Sequence, residues 1–162
     1  MQKKLNLKIK FRESFRPFAP AVIEEDAKKY FKLKNKSPYM LLVTEVNDNI
    51  KIQSKSKSSG LDKLKIVRSN IPAVTHVDFS ARVQTVSKKT NKKFYQLLLD
   101  FKSLSGDSLI INTSFNVRGE PIVCSPEDAY NCFKNTNMDI LVMNNFMLYK
   151  EKNTSNKNEK NI

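Results

Sequence analysis

The 162-residue chain, 40% apolar and 28% charged, is long enough for one cored domain and short for two; this is the balance of a globular protein, not a disordered one. No apolar run approaches the roughly 18 residues a membrane helix needs, and the basic start MQKKLNLKIK has no apolar core of a secretory signal, so a cytoplasmic protein with no membrane contact is expected. A formal charge of +13, from 29 Lys and Arg against 16 Asp and Glu, attracts polyanions, yet the lysines are dispersed and seldom interleaved with aromatics, which fits a solvated surface better than an RNA or DNA footprint.

Residues 1–8 carry Leu5 among lysines, four before Ile9, and read as a helix end or a frayed lead-in. Pro17 and Pro20 make 11–23 extended chain, because each pushes the residue before it out of the helical region. A short helix over 24–31 has its acids first and its lysines last, as the helix dipole prefers. YMLLVTEV, 39–46, is a strand by its β-branched and apolar content, closed by a turn at Asn47-Asp48-Asn49. SKSKSSG, 54–60, reads as a solvated, mobile loop, and 61–67 as a short helical turn or strand. Pro72 makes 71–77 an edge or lead-in segment, whereas RVQTV, 82–86, alternates with period two as a strand does.

The clearest helix covers 92–104, with Phe94, Leu97, Leu98, Phe101 and Leu104 on one face and Gly106 as its stop. A buried strand follows at 108–111. Ser125 as N-cap and Pro126 at the first helical position start another helix that runs to about 135. Two short strands, 139–142 and 147–149, close the pattern, and the nearly apolar-free tail 151–162 is expected to be disordered. Strands alternating with helices imply a single α/β domain built on one mixed sheet flanked by helices.

Three groups of residues carry more chemistry than the fold needs. In extended chain Lys10, Arg12 and Arg16 share a side, with Phe11 and Phe15 opposite; this reads either as an anion site over an apolar floor or as a basic edge that resists sheet-to-sheet association. His76 and Asp78 are two apart, a base-and-orienter spacing or a structural pair, and Arg82 beyond them should meet a carboxylate or a phosphate. In NTSFNVRGEP, 112–121, Ser114 and Asn116 alternate around Phe115 past a strand's end, where hydroxyls, amides and free N–H groups grip phosphate or simply form a turn. Cys124 and Cys132, with one histidine in the whole chain, make no zinc set and read as ordinary thiols, so neither a metal site nor a cysteine nucleophile is expected.

Together KIKFRESFRPFAPAVIEE, IPAVTHVDFSARVQTV and LIINTSFNVRGEPIVCSPEDAYNCF resemble, in order and spacing, the C-terminal region of the NodU/CmcH family of O-carbamoyltransferases, from about residue 6 to 149. The resemblance implies a YrdC-like α/β domain over 9–150, with 1–8 as the end of a preceding N-terminal domain. It implies an enzyme domain that binds carbamoyl phosphate and ATP with Mg²⁺ and forms carbamoyl-adenylate. A separate N-terminal domain of the ASKHA type, here supplied by another chain, then passes the carbamoyl group to a hydroxyl acceptor. The Lys-x-Arg and Ser-x-Asn tetrad of YrdC-like proteins falls on Lys10, Arg12, Ser114 and Asn116 as catalytic residues. Arg16, Arg82 and Arg118 are assigned with them to anion binding. Two departures accompany the match: Ser14 stands where the family usually has proline, and Phe79 where it usually has glycine, a residue that permits close backbone approach. A catalytically inactive, RNA-binding form of the same fold is the competing expectation.

Overall fold

β1 (Ala19–Ile23, APAVI) has no polar side chain and is buried along its whole length. A computed structural model describes residues 1–53 and 59–150; 54–58 of the expected loop and the expected tail 151–162 lie outside the described residues. β1 occupies the middle of a four-stranded sheet ordered β2 (Leu42–Glu45), β3 (Ser80–Val86), β1, β4 (Leu109–Asn112). Its pairing is parallel to β3 and antiparallel to β4, while β2 pairs antiparallel with β3, so the sheet is mixed. Pro20 is tolerated in this central strand because the β3 ladder begins only at Ala21.

One sheet face packs Val22, Val46, Val83 and Leu109 against Phe31 and Ala27, carried by the short helix α2 (Ala27–Tyr30) and its flanks. The opposite face receives α3 (Lys92–Ser105), whose Leu98 seats on Ala21, Ile23 and Val86. The Asn91 side chain caps the α3 N-terminus by accepting from Phe94 N–H, and Gly106 ends the helix at φ 82. The expected apolar face of this helix is covered only in part: Leu98 is buried, but Leu97, Phe101 and Leu104 are exposed. Fourteen residues make a helix of about 21 Å at 1.5 Å per residue, longer than the strands of four and five residues beneath it.

The closing strands form a separate hairpin, β5 (Ile140–Met143) and β6 (Phe146–Tyr149), with Asn144 at φ 52 in its tight turn. The hairpin docks through Leu141 onto Ala129 and Phe133 of α4 (Pro126–Lys134), so the expected single sheet is in fact a four-stranded sheet plus a ribbon. Ser125 and Asp128 complete a capping box at the start of α4. The first residues form α1 (Gln2–Lys8). No described helix is long and apolar enough to cross a membrane.

Two sequence expectations need physical correction. The stretch before β1 is not extended: Phe11 sits at φ 48 and breaks the alternation, leaving Phe11 and Phe15 half exposed rather than forming a floor. At Phe79 the relevant constraint is not close approach but a left-handed backbone at φ 63, the region glycine favours. The aromatic ring there packs onto the core cluster that holds Val46, Ala81 and Val83, with its centroid 5.4 Å from Lys51 Nζ.

Asp26, just before α2, joins the two sides of the sheet. Its Oδ2 accepts from Lys102 Nζ of α3 at 2.7 Å, and its Oδ1 pairs with Lys29 at 2.6 Å. Burial would push this carboxyl up, but the hydrogen bonds from Lys102, Lys29 and Ser108 outweigh it and hold the pKa down at about 2, against an ordinary 3.8. A depressed carboxylate contributes its stability above its unfolded pKa and loses it as pH falls through the folded one. Urea midpoints of the wild-type chain should therefore drop between pH about 4 and about 2, and Asp26→Asn should lower the midpoint at neutral pH while flattening that acid limb.

Candidate functional site

Strand register gathers the site. Arg82 of β3 opposes Val43 of β2; the β1–β3 register pairs Ala21 with Gln84, so Arg82 is level with Ala19, and Ala19 opposes Asn112. Ala81 and Val83 are buried while Arg82 is exposed, because successive side chains take opposite faces. Arg82, Gln84 and Asn112 thus share the α3-covered face, but at the end beyond the Leu98 contact. Asn112 Nδ2 donates to Gln84 Oε1 at 2.6 Å, and Gln84 Nε2 donates to Pro38 O at 3.1 Å, giving a polar floor in which Gln84 is engaged at both ends.

Above this floor lies a cleft of about 530 Å³ lined by Arg12, Arg16, Met40, Arg82, Asn112 and Ser114, among others, with no Asp or Glu in its described wall. Arg82 has no carboxylate partner among the described residues, so its expected carboxylate contact is not made within them. Arg16 reaches Glu13 only at 3.8 Å on the surface, a pair of little energetic weight. Burial first, and then the neighbouring Arg16 charge, hold the Arg12 guanidinium below its ordinary value. Met40 keeps φ 57 at the rim, a strained backbone for a residue with a side chain.

Lys10 lies beneath the cleft and is 5% exposed. Its Nζ donates to Ser114 O at 2.8 Å, Asn116 O at 2.6 Å and Asn116 Oδ1 at 2.8 Å, with Ser114 Oγ at 3.4 Å. Ser114 Oγ donates to Asn116 Oδ1 at 2.6 Å, and Asn116 Nδ2 donates to Glu120 O at 2.9 Å. Burial, reinforced by the Arg12 charge, holds the Lys10 ammonium below the ordinary lysine value. The expected alternation of 114–116 is present: Ser114 and Asn116 meet Lys10 while Phe115 packs against the α4 and β5 core.

The four tetrad positions are therefore neighbours, but in two attachments: Lys10 to Ser114 and Asn116, and Arg12 to Asn6, whose Oδ1 accepts from Arg12 Nε at 2.6 Å. Arg118 is not in the cleft wall and lies 3.7 Å from Glu13. His76 and Asp78 are elsewhere, with Asp78 Oδ1 accepting from Ser80 N–H at 3.0 Å in a local turn. A second cleft of about 560 Å³, lined by Phe11, Glu120, Cys132 and Asp128 among others, carries acids and no Lys or Arg, the wrong sign for phosphate. Burial, and then the Glu120 charge, raise the Cys132 thiol above its ordinary value, which disfavours the thiolate, and Cys124 is exposed and in no disulfide. Among the described residues no group of His, Cys, Asp or Glu could hold a metal ion.

Sequence reasoning passed over Asn6, Phe18 and Met40. The available signal for Asn6 was an indifferent helix former in a seven-residue helix. Phe18 is buried below Arg12, with Cζ 4.6 Å from the ring centroid, and takes the place of the floor expected from Phe11 and Phe15.

The family model described as Carbamoyltransferase C-terminus matches residues 1–150. The chain belongs to the carbamoyltransferase C-terminus family. An uncharacterized protein of Synechocystis sp. is 54% identical to it over 153 residues, 93% of this chain and 25% of that protein. Nodulation protein NolO of Bradyrhizobium diazoefficiens is 38% identical over 150 residues, 91% of this chain and 24% of that protein. Nodulation protein NolNO of Sinorhizobium fredii is 36% identical over the same length, 91% and 20% of the two chains. The chain thus spans between a fifth and a quarter of the length of these relatives.

In this carbamoyltransferase C-terminal chain, the Lys10 contacts join segments more than a hundred residues apart. Replacing Lys10 with Met would leave the Ser114 and Asn116 carbonyls without their charged donor. Chemical unfolding should show a loss of about 3 kcal/mol, and hydrogen exchange should quicken across residues 113–118.

Proposed function

We propose that this chain is the carbamoyl-activating part of a carbamoyltransferase, a YrdC-like domain that binds carbamoyl phosphate and ATP and forms carbamoyl-adenylate. The observation that carries the reading is the cleft walled by Arg12, Arg16 and Arg82 with no acid in its described wall. The two substrates together bring about six negative charges, which repel each other unless fixed cations lie between them.

Water first releases phosphate from carbamoyl phosphate, leaving carbamate. A carbamate oxygen then bonds to the α-phosphorus of ATP as the bond to pyrophosphate breaks. Both steps need alignment and charge neutralisation more than a protein nucleophile, which accords with a cleft that offers guanidinium groups and the Ser114 hydroxyl but no cysteine. Arg12, Arg16 and Arg82 would hold phosphoryl oxygens, Ser114 would orient the carbamoyl or phosphoryl group, and Lys10 and Asn116 would keep that wall in place. Mg²⁺ would arrive on the triphosphate, because it retains water and needs few protein ligands. Transfer to a hydroxyl acceptor falls to a separate domain of the ASKHA type.

Carbamoyl-phosphate-dependent exchange of pyrophosphate into ATP tests the reading directly. The wild-type chain should support exchange, and Arg82→Ala should reduce it about 100-fold with an unchanged urea midpoint, since Arg82 makes no ion pair with the described residues. Absence of exchange, combined with salt-sensitive RNA binding that ignores Arg82→Ala, would replace this reading with the nucleic-acid one.

A further inference from the structure

Asn6 is fully buried and sits outside the cleft, yet it holds the path of the chain that lines it. Its Nδ2 donates to Arg16 O at 2.7 Å and to Ser14 O at 3.3 Å, while its Oδ1 accepts from Arg12 Nε at 2.6 Å. Its backbone carbonyl also accepts from Arg12 N–H at 3.0 Å. A primary amide is a neutral side chain with an acceptor and two donors, and here both ends are used on the same loop.

The consequence falls on Arg12. The Phe18 ring supports its guanidinium on one side, 4.6 Å from Cζ to the ring centroid, and Asn6 occupies its Nε edge. The Nη1 and Nη2 groups make no hydrogen bond to the described residues. An arginine held this way can present only its Nη1/Nη2 end, a two-donor fork that matches two oxygens of one phosphoryl group. A lysine in the same place would keep the charge but could not be clamped, since it has no second edge to hold.

We propose that Asn6 is a positioning residue of the anion site: through Arg12 Nε it aims the guanidinium fork at a phosphoryl group of ATP, and through Arg16 O it sets the loop that brings the second arginine into the wall. This rests on the phosphate-binding reading of the cleft given above.

A double-mutant cycle on the full chain, with Mg²⁺·ATP affinity measured by calorimetry, tests the coupling. Asn6→Ala and Arg12→Lys should each weaken binding by about 10-fold or more, and the double variant should be no weaker than the weaker single one. Penalties that multiply would show that Asn6 acts on stability and not through Arg12, and would overturn the proposal. A second measurement needs no variant that might misfold. In wild-type protein the Arg12 Hε resonance should exchange slowly with solvent, and exchange as fast as that of an exposed arginine would overturn the clamp by itself. Should the wild-type chain bind no ATP, the phosphate reading and the ligand named here fail together, while the Hε exchange still decides whether Asn6 clamps Arg12.

Discussion

The ammonium of Lys10 is nearly buried and has no carboxylate among its hydrogen-bond partners; it is neutralised only in part, by carbonyl, amide and hydroxyl oxygens of Ser114 and Asn116. Such a group is costly to desolvate and is tolerated only when its N–H donors are all engaged. Here that demand fastens the loop after α1 to the loop after β4, two segments that share no strand pairing. Ser114 is in the cleft wall because of this attachment, and Phe115 is turned into the α4 core by it. The charge therefore does structural work even where its residue type points to chemistry.

Charge is sorted across the molecule rather than spread evenly. Away from the cleft, acids are engaged by lysines: Asp26 by Lys29 and Lys102, Glu24 by Lys36, and Glu45 and Asp48 by Lys32 and Lys51. Inside it, three arginines face a common space without a compensating acid in the described wall. Like charges gathered in one place destabilise the folded chain on their own. Such a concentration of cations, relieved only by the weak surface contact of Arg16 with Glu13 and with one guanidinium held by an amide and an aromatic ring, is the arrangement expected where binding of an anion offsets the repulsion.

Local signals were strong where one side chain decides the backbone. Ser125 and Pro126 mark the α4 start, Gly106 marks the α3 end, and the alternation of 82–86 marks β3, each from contacts within a few residues. Signals failed where the answer lay across the sheet. The face of α3 reads as wholly apolar, yet how much of it is covered depends on the lengths of β1 and β4, which the helix sequence does not contain. The Lys10 to Arg16 segment reads as extended because of its prolines, whereas Asn6 and the left-handed Phe11 bend it into a loop.

What the sequence by itself determined is the α/β class, the positions of nearly all the elements, and the family, whose long motifs carry the resemblance and whose match extends over residues 1–150. These follow from periodicity, capping and turn chemistry, which act over a few bonds, and from motif order. Only the tertiary structure decided which cations meet. It placed Arg82 beside Arg12 and Arg16 through strand register, put Lys10 under the wall rather than in it, left Arg118 outside, and brought in Asn6 and Phe18. Register and loop path are set by pairing between segments far apart in the chain, and a local reading of residues has no access to that distance.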